Sequence, residues 1–270
     1  MSPARNRPVA LTIAGSDSSA GAGLQADLKT FSALGVFGVT AVTCVVAEVP
    51  GKVSRIDPVD AGNVREQIEL LLGTFPIGAI KTGLLFSAEI VETVAFALER
   101  CAGKIPLIVD PVMIATSGDP LLQPAAVASY CARLFPRATL VTPNLAEAAA
   151  LTGRPVRDVG EMKAAGNELA RKFKTRFLLK GGHLVGDRAI DLLCDETVVV
   201  EFSAPFVPGV STHGTGCTYS AAIAARLALG DPLEESIARA KDFVSRAIRE
   251  YLSWPTSSGE IQALNHGPGA

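Results

Sequence analysis

The chain has 270 residues, of which 48% are hydrophobic and 19% are charged, and its formal net charge is −2. This size and apolar fraction suffice for one large domain or two small ones around a sizeable buried core. A near-neutral charge without a basic block gives little support to nucleic-acid binding, and the lack of an apolar run of about 18 residues argues against a membrane span.

Short apolar runs alternate with longer segments of helical periodicity. In chain order they predict the strand VALTIAG, the helix AGLQADLKTFSALG, the strands GVTAVTCVVAE and KVSRIDPV, the helix AGNVREQIELLLGTF, the strand IGAIKTG, the helix AEIVETVAFALERC, the strands PLIVDPV and ATLVTPN, the helices LAEAAALTG and EMKAAGNELARKF, the strand RFLLKGG, the hairpin RAIDLLCD with TVVVEFSA, and two helices that begin at Gly214 and Pro232. This alternation predicts an α/β fold with a mainly parallel sheet between two helical layers.

The chain contains no evident linker, repeat or low-complexity segment. We therefore expect a single domain over residues 9–254, with a disordered start at residues 1–8 and a loosely ordered tail at residues 255–270. The short apolar segment near the N-terminus runs directly into polar residues, which is not the pattern of a signal peptide.

The five cysteines are scattered, odd in number and without a C-x-x-C pair. This spacing argues against a disulfide framework or a zinc site and favours a reducing cytoplasm. Cys44 and Cys194 lie in apolar strands and are expected in the core.

Ligands of parallel α/β sheets bind beyond the carboxyl ends of the strands. The segments at those ends read GSDSSAGAG, AE, KTG, DPV, TPNLAE and KGGHL, and they are rich in groups suited to phosphate and metal chemistry. Glu48 and Lys81 also fall there, either as ligands or as solvated charges.

The first glycine-rich loop contains Gly21-x-Gly23-x-x-Ala26, which passes as a dinucleotide-binding fingerprint. However, about seven residues separate these glycines from the strand, whereas that fingerprint requires a tight turn. An NAD-binding oxidoreductase, with Glu48 as the ribose-binding acid, therefore remains a minor alternative. The preferred interpretation is a loop that closes over a substrate.

Three later segments carry candidate ligands, each with a purely structural alternative. Asp110 can organise Mg²⁺ through water or can simply end a strand at an Asp-Pro turn. Asn144 and Glu147 suit a metal or phosphate site, but their spacing is also that of a helix capping box. Lys180, followed by Gly-Gly-His183, suits phosphate contact or a turn into the hairpin.

The segment VSTHGTGCTYSAAIAARLAL places Gly214, Thr215, Gly216 and Cys217 at the start of an Ala-rich helix. A helix N-terminus presents unpaired N–H groups and favours anions, and glycines let a phosphate approach the backbone. The same position should lower the pKa of the Cys217 thiol. The alternative is a tight turn beside an inert cysteine.

Together these motifs resemble the ribokinase-like superfamily, and within it the hydroxymethylpyrimidine/phosphomethylpyrimidine kinases of thiamine biosynthesis. The similarity runs from about Ala10 to Tyr251 and is carried by LTIAGSDSSAGAGLQADLKTFSALGVFGVTAVT, IKTGLL, VDPVM, TPNLAEA, LLKGGH and THGTGCTYSAAIAA. It implies a three-layer α/β/α kinase with a glycine-rich substrate-covering loop, ATP as phosphoryl donor, Mg²⁺, a cytoplasmic location and a homodimer.

The resemblance also assigns roles to residues. Gly214, Thr215, Gly216 and Cys217 correspond to the anion hole around the transferring phosphoryl group, with Cys217 as the general base. Asp110 and Glu147 correspond to the groups that arrange Mg²⁺, and Asn144, Lys180 and Gly182 lie near ATP. The residues that correspond to the substrate site are Gly15, Glu48, Gly83, Leu84, Val112 and His213, with Asp27 supporting the glycine loop.

Two positions depart from the family pattern. Glu48-Val49-Pro50 stands where the family usually has Gln-Asn-Thr, and an ionised Glu only accepts hydrogen bonds. Leu84 stands where Met is usual, a mild change. A pyridoxine or pyridoxal kinase of the same fold is therefore the nearest alternative, and a silent binding protein that has kept the fold is another.

Overall fold

The computed structural model describes residues 6–101, 103–113, 122, 124–182, 184, 186–210, 213–257 and 259–267. The strands are β1 (Val9–Asp17), β2 (Phe37–Val49), β3 (Lys52–Pro58), β4 (Ile77–Thr82), β5 (Leu107–Val109), β6 (Leu140–Val141), β7 (Phe177–Gly181), β8 (Arg188–Cys194), β9 (Val199–Pro205), β10 (Leu252–Thr256) and β11 (Gly259–Ala263). The helices are α1 (Gly23–Ala33), α2 (Ala61–Thr74), α3 (Ala88–Ala97), α4 (Pro124–Ser129), α5 (Leu145–Thr152), α6 (Val159–Phe173), α7 (Thr215–Ala228) and α8 (Leu233–Arg249).

Within those ranges, nine strands form one sheet in the order β3-β2-β1-β4-β5-β6-β7-β8-β9. The six strands from β2 to β7 in this order are parallel, and β3, β8 and β9 are antiparallel to their neighbours. The predicted mainly parallel sheet is therefore confirmed, with antiparallel strands at both edges.

Helices cover both faces of the sheet, as the alternating pattern predicts. Leu11 and Ile13 of β1 belong to a core cluster shared with α2, α3, α5 and α6. The intervening Ala10 belongs to a second cluster, shared with α1, α7 and α8. Successive side chains of a strand point to opposite faces, so a strand buried on both faces is apolar throughout.

The Ala-rich composition of α7 lets this helix lie close to the sheet. Ala221, Ala222, Ala224 and Ala225 are all fully buried, and a Cβ at Gly78 of β4 would come within 3.2 Å of the Ala228 Cα. Because α7 approaches so closely, its N-terminus reaches the carboxyl ends of the central strands. None of the helices in the described part combines the length and apolarity needed to cross a membrane.

The structure corrects the sequence analysis in two regions. Residues 124–137 form α4, a π-helical turn over Tyr130–Leu134 and a 3-10 turn over Phe135–Arg137, none of which was predicted. Of the tail at residues 255–270, expected to be loosely ordered, the described residues 255–257 and 259–267 instead form much of the antiparallel pair β10–β11 and then bury Leu264. Its Pro, Ser and Gly content is typical of loops, but backbone pairing such as that of Trp254 with Ile261 and the burial of Leu264 order the described part. The predicted disordered start falls mostly on residues 1–5, outside the described residues.

Candidate active site

A cavity of about 540 Å³ opens at the carboxyl edge of the sheet. It gathers candidate residues that are far apart in sequence. Those lining it are Gly15, Glu48, Gly83, Leu84, Asp110, Val112, Asn144, Glu147, Lys180, Gly182, His213, Gly214, Thr215, Gly216 and Cys217. Asp27 alone among the predicted site residues does not line it.

The N-terminus of α7 forms one wall of the cavity. Its N-cap, Gly214, has φ +81°, and no side chain in the described part of the protein caps the helix. A Cβ at Gly214 would overlap the carbonyl oxygen of Gly21, so glycine is required there for both space and backbone conformation. The buried hydroxyl of Thr215 has no hydrogen-bond partner among the described residues. This wall therefore offers unpaired donors and the positive end of a helix to an anion.

Cys217 differs from its sequence-based expectation. Desolvation raises the pKa of its thiol to about 11, and the nearby cation of Lys81 only partly offsets this effect. Asp110 and Asp27 raise the pKa further, whereas the Gly23 backbone bond lowers it. The prediction of a lowered pKa was wrong because removal from water and two neighbouring carboxylates outweigh the helix N-terminus.

Lys81 and Asp27 form a fully buried ion pair beneath the cavity. The Lys81 Nζ donates to Asp27 Oδ1 at 2.9 Å and Oδ2 at 2.8 Å, and Thr12 Oγ1 donates to the same carboxylate at 2.5 Å. Burial is the largest single effect and would lower the pKa of Lys81, but the charges of Asp27, Cys217 and Asp110 and the Asp27 hydrogen bond together raise that pKa above its ordinary value. The carboxylate of Asp27 thus holds Lys81, which is buried and not a solvated charge, and a role of Asp27 in supporting the glycine loop stays a prediction.

Asp110 is a buried carboxylate that three groups hold in place. Its Oδ1 accepts from Lys180 Nζ at 2.8 Å and from Thr142 Oγ1 at 3.0 Å, and its Oδ2 accepts from Ser220 Oγ at 3.1 Å. Burial is the largest single effect and opposes ionisation, but the charges of Lys180 and Lys81 and the hydrogen bonds from Lys180 and Thr142 together lower the pKa of Asp110 below its ordinary value. Asp110 and Lys180 thus face the cavity as an oriented pair of charges.

Asn144 and Glu147 form the capping box that their spacing allows. Glu147 N donates to Asn144 Oδ1 at 2.9 Å, and Asn144 N donates to Glu147 Oε2 at 2.8 Å. The backbone of Met113 donates to the other carboxylate oxygen, Oε1, at 3.3 Å. Burial raises the pKa of Glu147 to about 7, and the neighbouring Asp110 carboxylate contributes to this rise.

Asp17, which the sequence analysis did not select, organises the first glycine-rich loop. Its carboxylate accepts from the backbone N–H groups of Ser19, Gly21 and Ala22 at 2.6, 3.1 and 2.7 Å. His213 Nε2 lies 3.3 Å from Asp17 Oδ2, which ties this loop to the segment before α7. Burial opposes ionisation, but these hydrogen bonds lower the pKa of Asp17 to about 2, and the Asp17 bond raises the pKa of His213.

Glu48 lies near the end of β2, close to this pair. Ser18 fixes its backbone, because Glu48 N donates to Ser18 Oγ at 2.9 Å and Ser18 Oγ donates to Glu48 O at 2.6 Å. Ligand atoms of Glu48, Asp17 and His213 all lie within 4.8 Å of one another. Burial, aided by the Asp17 charge, raises the pKa of Glu48 to about 7.

The remaining predicted substrate residues bring backbone close to the cavity. A Cβ at Gly15 would meet Cys44 Sγ at 2.7 Å, and one at Gly83 would meet Lys81 Nζ at 2.9 Å. Thr43 Oγ1 donates to the Leu84 carbonyl at 2.6 Å. Cys44 and Cys194 are buried in the core, as predicted. His183 lies outside the described residues.

The far end of the cavity was also missed by the sequence analysis. Here a buried ion pair, Lys241 Nζ to Asp191 Oδ2 at 2.6 Å, borders an apolar surface. The apolar residues of this end are Ala189, Pro205, Phe206, Val207, Val244 and Ile248. The sequence pattern gives little indication of these residues, because Lys241 and Asp191 are brought together only by the packing of α8 against the hairpin β8–β9.

The chain resembles proteins of known classification over nearly its whole length. The sequence model of one family, described as phosphomethylpyrimidine kinase, matches residues 17–262. A hydroxymethylpyrimidine/phosphomethylpyrimidine kinase of Rhizobium meliloti is 45% identical over 241 residues, which are 89% of this chain and 90% of the relative. The thiamine biosynthesis bifunctional protein ThiED of Geobacter sulfurreducens is 43% identical over 96% of this chain, which spans only 51% of that longer protein.

Among solved structures, an ADP complex of Bacillus subtilis pyridoxal kinase superposes with a TM-score of 0.87 at 35% identity, covering 97% of this chain and 98% of that one. The fold is therefore ribokinase-like, as the motifs predicted. The cavity at the strand ends and the glycine-rich start of α7 occur in a chain that matches kinases throughout, which favours phosphoryl transfer over the oxidoreductase alternative. The chain belongs to the phosphomethylpyrimidine kinase family and is a phosphotransferase.

Proposed function

We propose that this enzyme transfers a phosphoryl group from ATP to the 5-hydroxymethyl group of 4-amino-5-hydroxymethyl-2-methylpyrimidine, and then phosphorylates the monophosphate to the diphosphate in thiamine biosynthesis. One observation carries the proposal. The uncapped, glycine-rich N-terminus of α7 faces the same cavity as Glu48, so a phosphoryl site and a polar ring-binding site share one space.

The anion hole consists of Gly214, Thr215, Gly216 and the start of α7. Its backbone N–H groups, and the unpartnered hydroxyl of Thr215, stabilise charge on the transferring phosphoryl group. Lys180, whose Nζ would lie 3.1 Å from a Cβ at Gly216, adds a cation beside this hole. Positioning and charge neutralisation are the main requirements of such a transfer.

Cys217 is the proposed general base for the acceptor hydroxyl. The thiolate is the form that accepts a proton, and a pKa of about 11 makes it a minor species at neutral pH. The Lys81 cation, aided by the Gly23 backbone hydrogen bond, increases the thiolate fraction. Activity should therefore rise with pH across the alkaline range.

The residues near Asp110 and Glu147 fit a divalent cation. The two carboxylates line one cavity, and each is already oriented by hydrogen bonds. The mutual repulsion that contributes to the raised pKa of Glu147 would be relieved by a cation between them and phosphate. When bound, Mg²⁺ would neutralise charge on the ATP phosphates, and it prefers one or two carboxylates together with phosphates and water.

The donor nucleotide is assigned to the far end of the cavity, next to Asn144, Lys180 and Gly182. The apolar surface around Phe206 and Ile248 suits the face of a base. The acceptor then lies toward Gly15, Glu48, Gly83, Leu84, Val112 and His213. The loop from Ser18 to Gly23 would close over it and exclude water. In the second step the nucleophile is the phosphate of the monophosphate. The pyrimidine must therefore bind in two positions, one with its hydroxyl group and one with its phosphate next to the anion hole.

A pyridoxal kinase is the second candidate, because the superposed structure is named as one. The two acceptors share a methyl and a hydroxymethyl group on a six-membered ring, but only the pyrimidine carries an amino group beside a ring nitrogen. Glu48 suits that amino edge. The homodimer and the cytoplasmic location remain parts of the proposal, supported by the family resemblance and by five cysteines that are all free.

The proposal is tested by measuring the rate of ADP formation from ATP in the presence of Mg²⁺. Hydroxymethylpyrimidine, its monophosphate and pyridoxal are offered as acceptors in parallel. We expect the two pyrimidines to give a kcat/KM at least tenfold above pyridoxal. If only pyridoxal were phosphorylated, the assignment of the pyrimidine as substrate would be contradicted. If none of the three compounds were phosphorylated, the proposal that the acceptor is a hydroxymethyl-substituted ring would be contradicted.

A further inference from the structure

The C-terminal segment 264–267 is bound to the domain at several points. Leu264 and His266 are only 3% and 7% exposed. Asn265 N donates to the Ala247 carbonyl of α8 at 3.1 Å, and Arg246 donates to the Gly267 carbonyl at 3.0 Å. Backbone and side-chain bonds therefore hold this segment against α8, although it follows an exposed hairpin.

His266 reaches from this segment to α7. Its Nε2 lies 2.9 Å from the Thr218 Oγ1, and both side chains are buried. Burial, with a contribution from the Lys29 charge, lowers the pKa of His266 to about 4, so the imidazole is neutral at physiological pH. A hydrogen bond with the Leu264 backbone opposes this shift, as a ring N–H donating to a carbonyl does. The other ring nitrogen, Nε2, then accepts a hydrogen bond from the Thr218 hydroxyl.

Thr218 closes the first turn of α7. Its backbone N–H donates to the Gly214 carbonyl at 2.9 Å, and it directly follows Cys217. A helical Thr hydroxyl commonly bonds to a carbonyl in the preceding turn of its own helix. Here it bonds to His266, so the turn that contains Gly214 to Cys217 is fixed from outside the helix.

We propose that His266 is a positioning residue that holds the first turn of α7, and with it the anion hole, through the Thr218 hydroxyl. The inference rests on the proposed role of Gly214 to Cys217 in phosphoryl transfer. Misplacing a reacting group by about 1 Å can cost about 100-fold in rate. Loss of one anchor of this turn is expected to lower kcat about tenfold and to leave both KM values within twofold.

The test compares His266→Ala, His266→Gln, Thr218→Val and the double variant His266→Ala/Thr218→Val with the wild-type enzyme. Ile261→Ala, on the exposed face of the hairpin that precedes this segment, is the matched control, because it keeps the backbone pairing of Ile261 with Trp254 and should keep wild-type kcat. Thermal unfolding of every variant sets an assay temperature at which all are folded. A Gln side chain can also accept from Thr218, so His266→Gln should recover kcat to within threefold of wild type. The double variant should be no slower than the slower single variant.

A second readout does not depend on turnover. Mass spectrometry of peptides from iodoacetamide-treated protein gives the alkylation rate of Cys217 at one fixed pH. A loosened first turn should raise this rate at least fivefold in His266→Ala and not in Ile261→Ala. The inference would be overturned if His266→Ala kept the wild-type kcat and alkylation rate. It would also be overturned if the loss of kcat in the double variant equalled the product of the losses in the two single variants. If the wild-type enzyme itself transferred no phosphoryl group, the proposed function would fail instead, and the alkylation rates would still decide the role of His266.

Discussion

The Gly214 backbone packs directly on the carbonyl group of Gly21, so that the loop after β1 and the start of α7 touch where any Cβ would intrude. This contact joins two glycine motifs that are far apart in sequence, and the Asp17–His213 hydrogen bond reinforces it. The first glycine-rich loop and the proposed anion hole are therefore one structural unit. Displacing either should displace the other.

Gly214→Ala is expected to abolish most phosphoryl transfer. The added Cβ overlaps Gly21, and φ of +81° costs a non-glycine residue about 1–2 kcal/mol. We expect a loss of kcat/KM of at least 100-fold, measured by ADP release. Gly35→Ala is the matched control, because Gly35 has φ +78° with nothing within 4 Å of its Cβ position. The free energy of unfolding of Gly35→Ala should fall by a similar amount, about 1–2 kcal/mol, while its kcat/KM stays at the wild-type value. Equal activity of the two variants would contradict the contact's importance.

Cys217→Ala should lower kcat by about 100-fold to 10,000-fold, the usual contribution of a general base, with little change in the KM for ATP. In the wild type, the thiolate fraction grows about tenfold per pH unit while the pH stays below the thiol pKa of about 11. The kcat should therefore rise between pH 7 and pH 9. Cys101→Ala, at a site away from the cavity, is the control. A flat kcat profile in the wild type would remove Cys217 as the base.

Glu48 should make the KM for the pyrimidine depend on pH. In the proposed contact, the Glu48 carboxyl group accepts a hydrogen bond from the pyrimidine amino group and shares one proton with the adjacent ring nitrogen. That proton is bound either to the carboxyl group or to the ring nitrogen. Burial raises the pKa of Glu48 to about 7, so this proton is lost as the pH rises above that value. The KM should increase above pH 7, at most about tenfold per unit.

Glu48→Gln supplies the control for that effect. A Gln amide donates to the ring nitrogen and accepts from the amino group at every pH, so the alkaline rise in KM should disappear. The measurement is KM against pH for both enzymes, with the KM for ATP as an internal reference. A wild-type KM that stays constant from pH 6 to pH 9 would exclude Glu48 from this contact.

Lys81→Met should destabilise the fold, because it leaves the Asp27 carboxylate buried without its partner. Breaking a buried pair from one side costs about 3–5 kcal/mol of unfolding free energy. The double variant Lys81→Met/Asp27→Leu removes both charges and should recover most of that loss. Urea unfolding of the three proteins measures this directly. A single variant within about 1 kcal/mol of wild type would show that the pair is not a stabilising unit.

The strand and helix order was predictable because the apolar runs and the helical periods of this chain are regular. The glycine-rich start of α7 was predictable for the same local reason, and so was the Asn144–Glu147 capping box, one of two alternatives at that position. Lys81, Asp17 and His266 depend on partners distant in sequence, such as Asp27, His213 and Thr218, and single-sequence patterns do not show such partners. The pKa of Cys217 was mispredicted because the sequence reveals a helix N-terminus but not the burial that outweighs it.

The most direct test of the account is the mass of the products formed from hydroxymethylpyrimidine with ATP and Mg²⁺, followed over time. Wild-type enzyme should add one phosphoryl group and then a second, and Cys217→Ala should add almost none in the same period. Phosphoryl addition by Cys217→Ala at the wild-type rate, or no addition by the wild type, would contradict the assignment of the α7 N-terminus as the site of transfer to this pyrimidine.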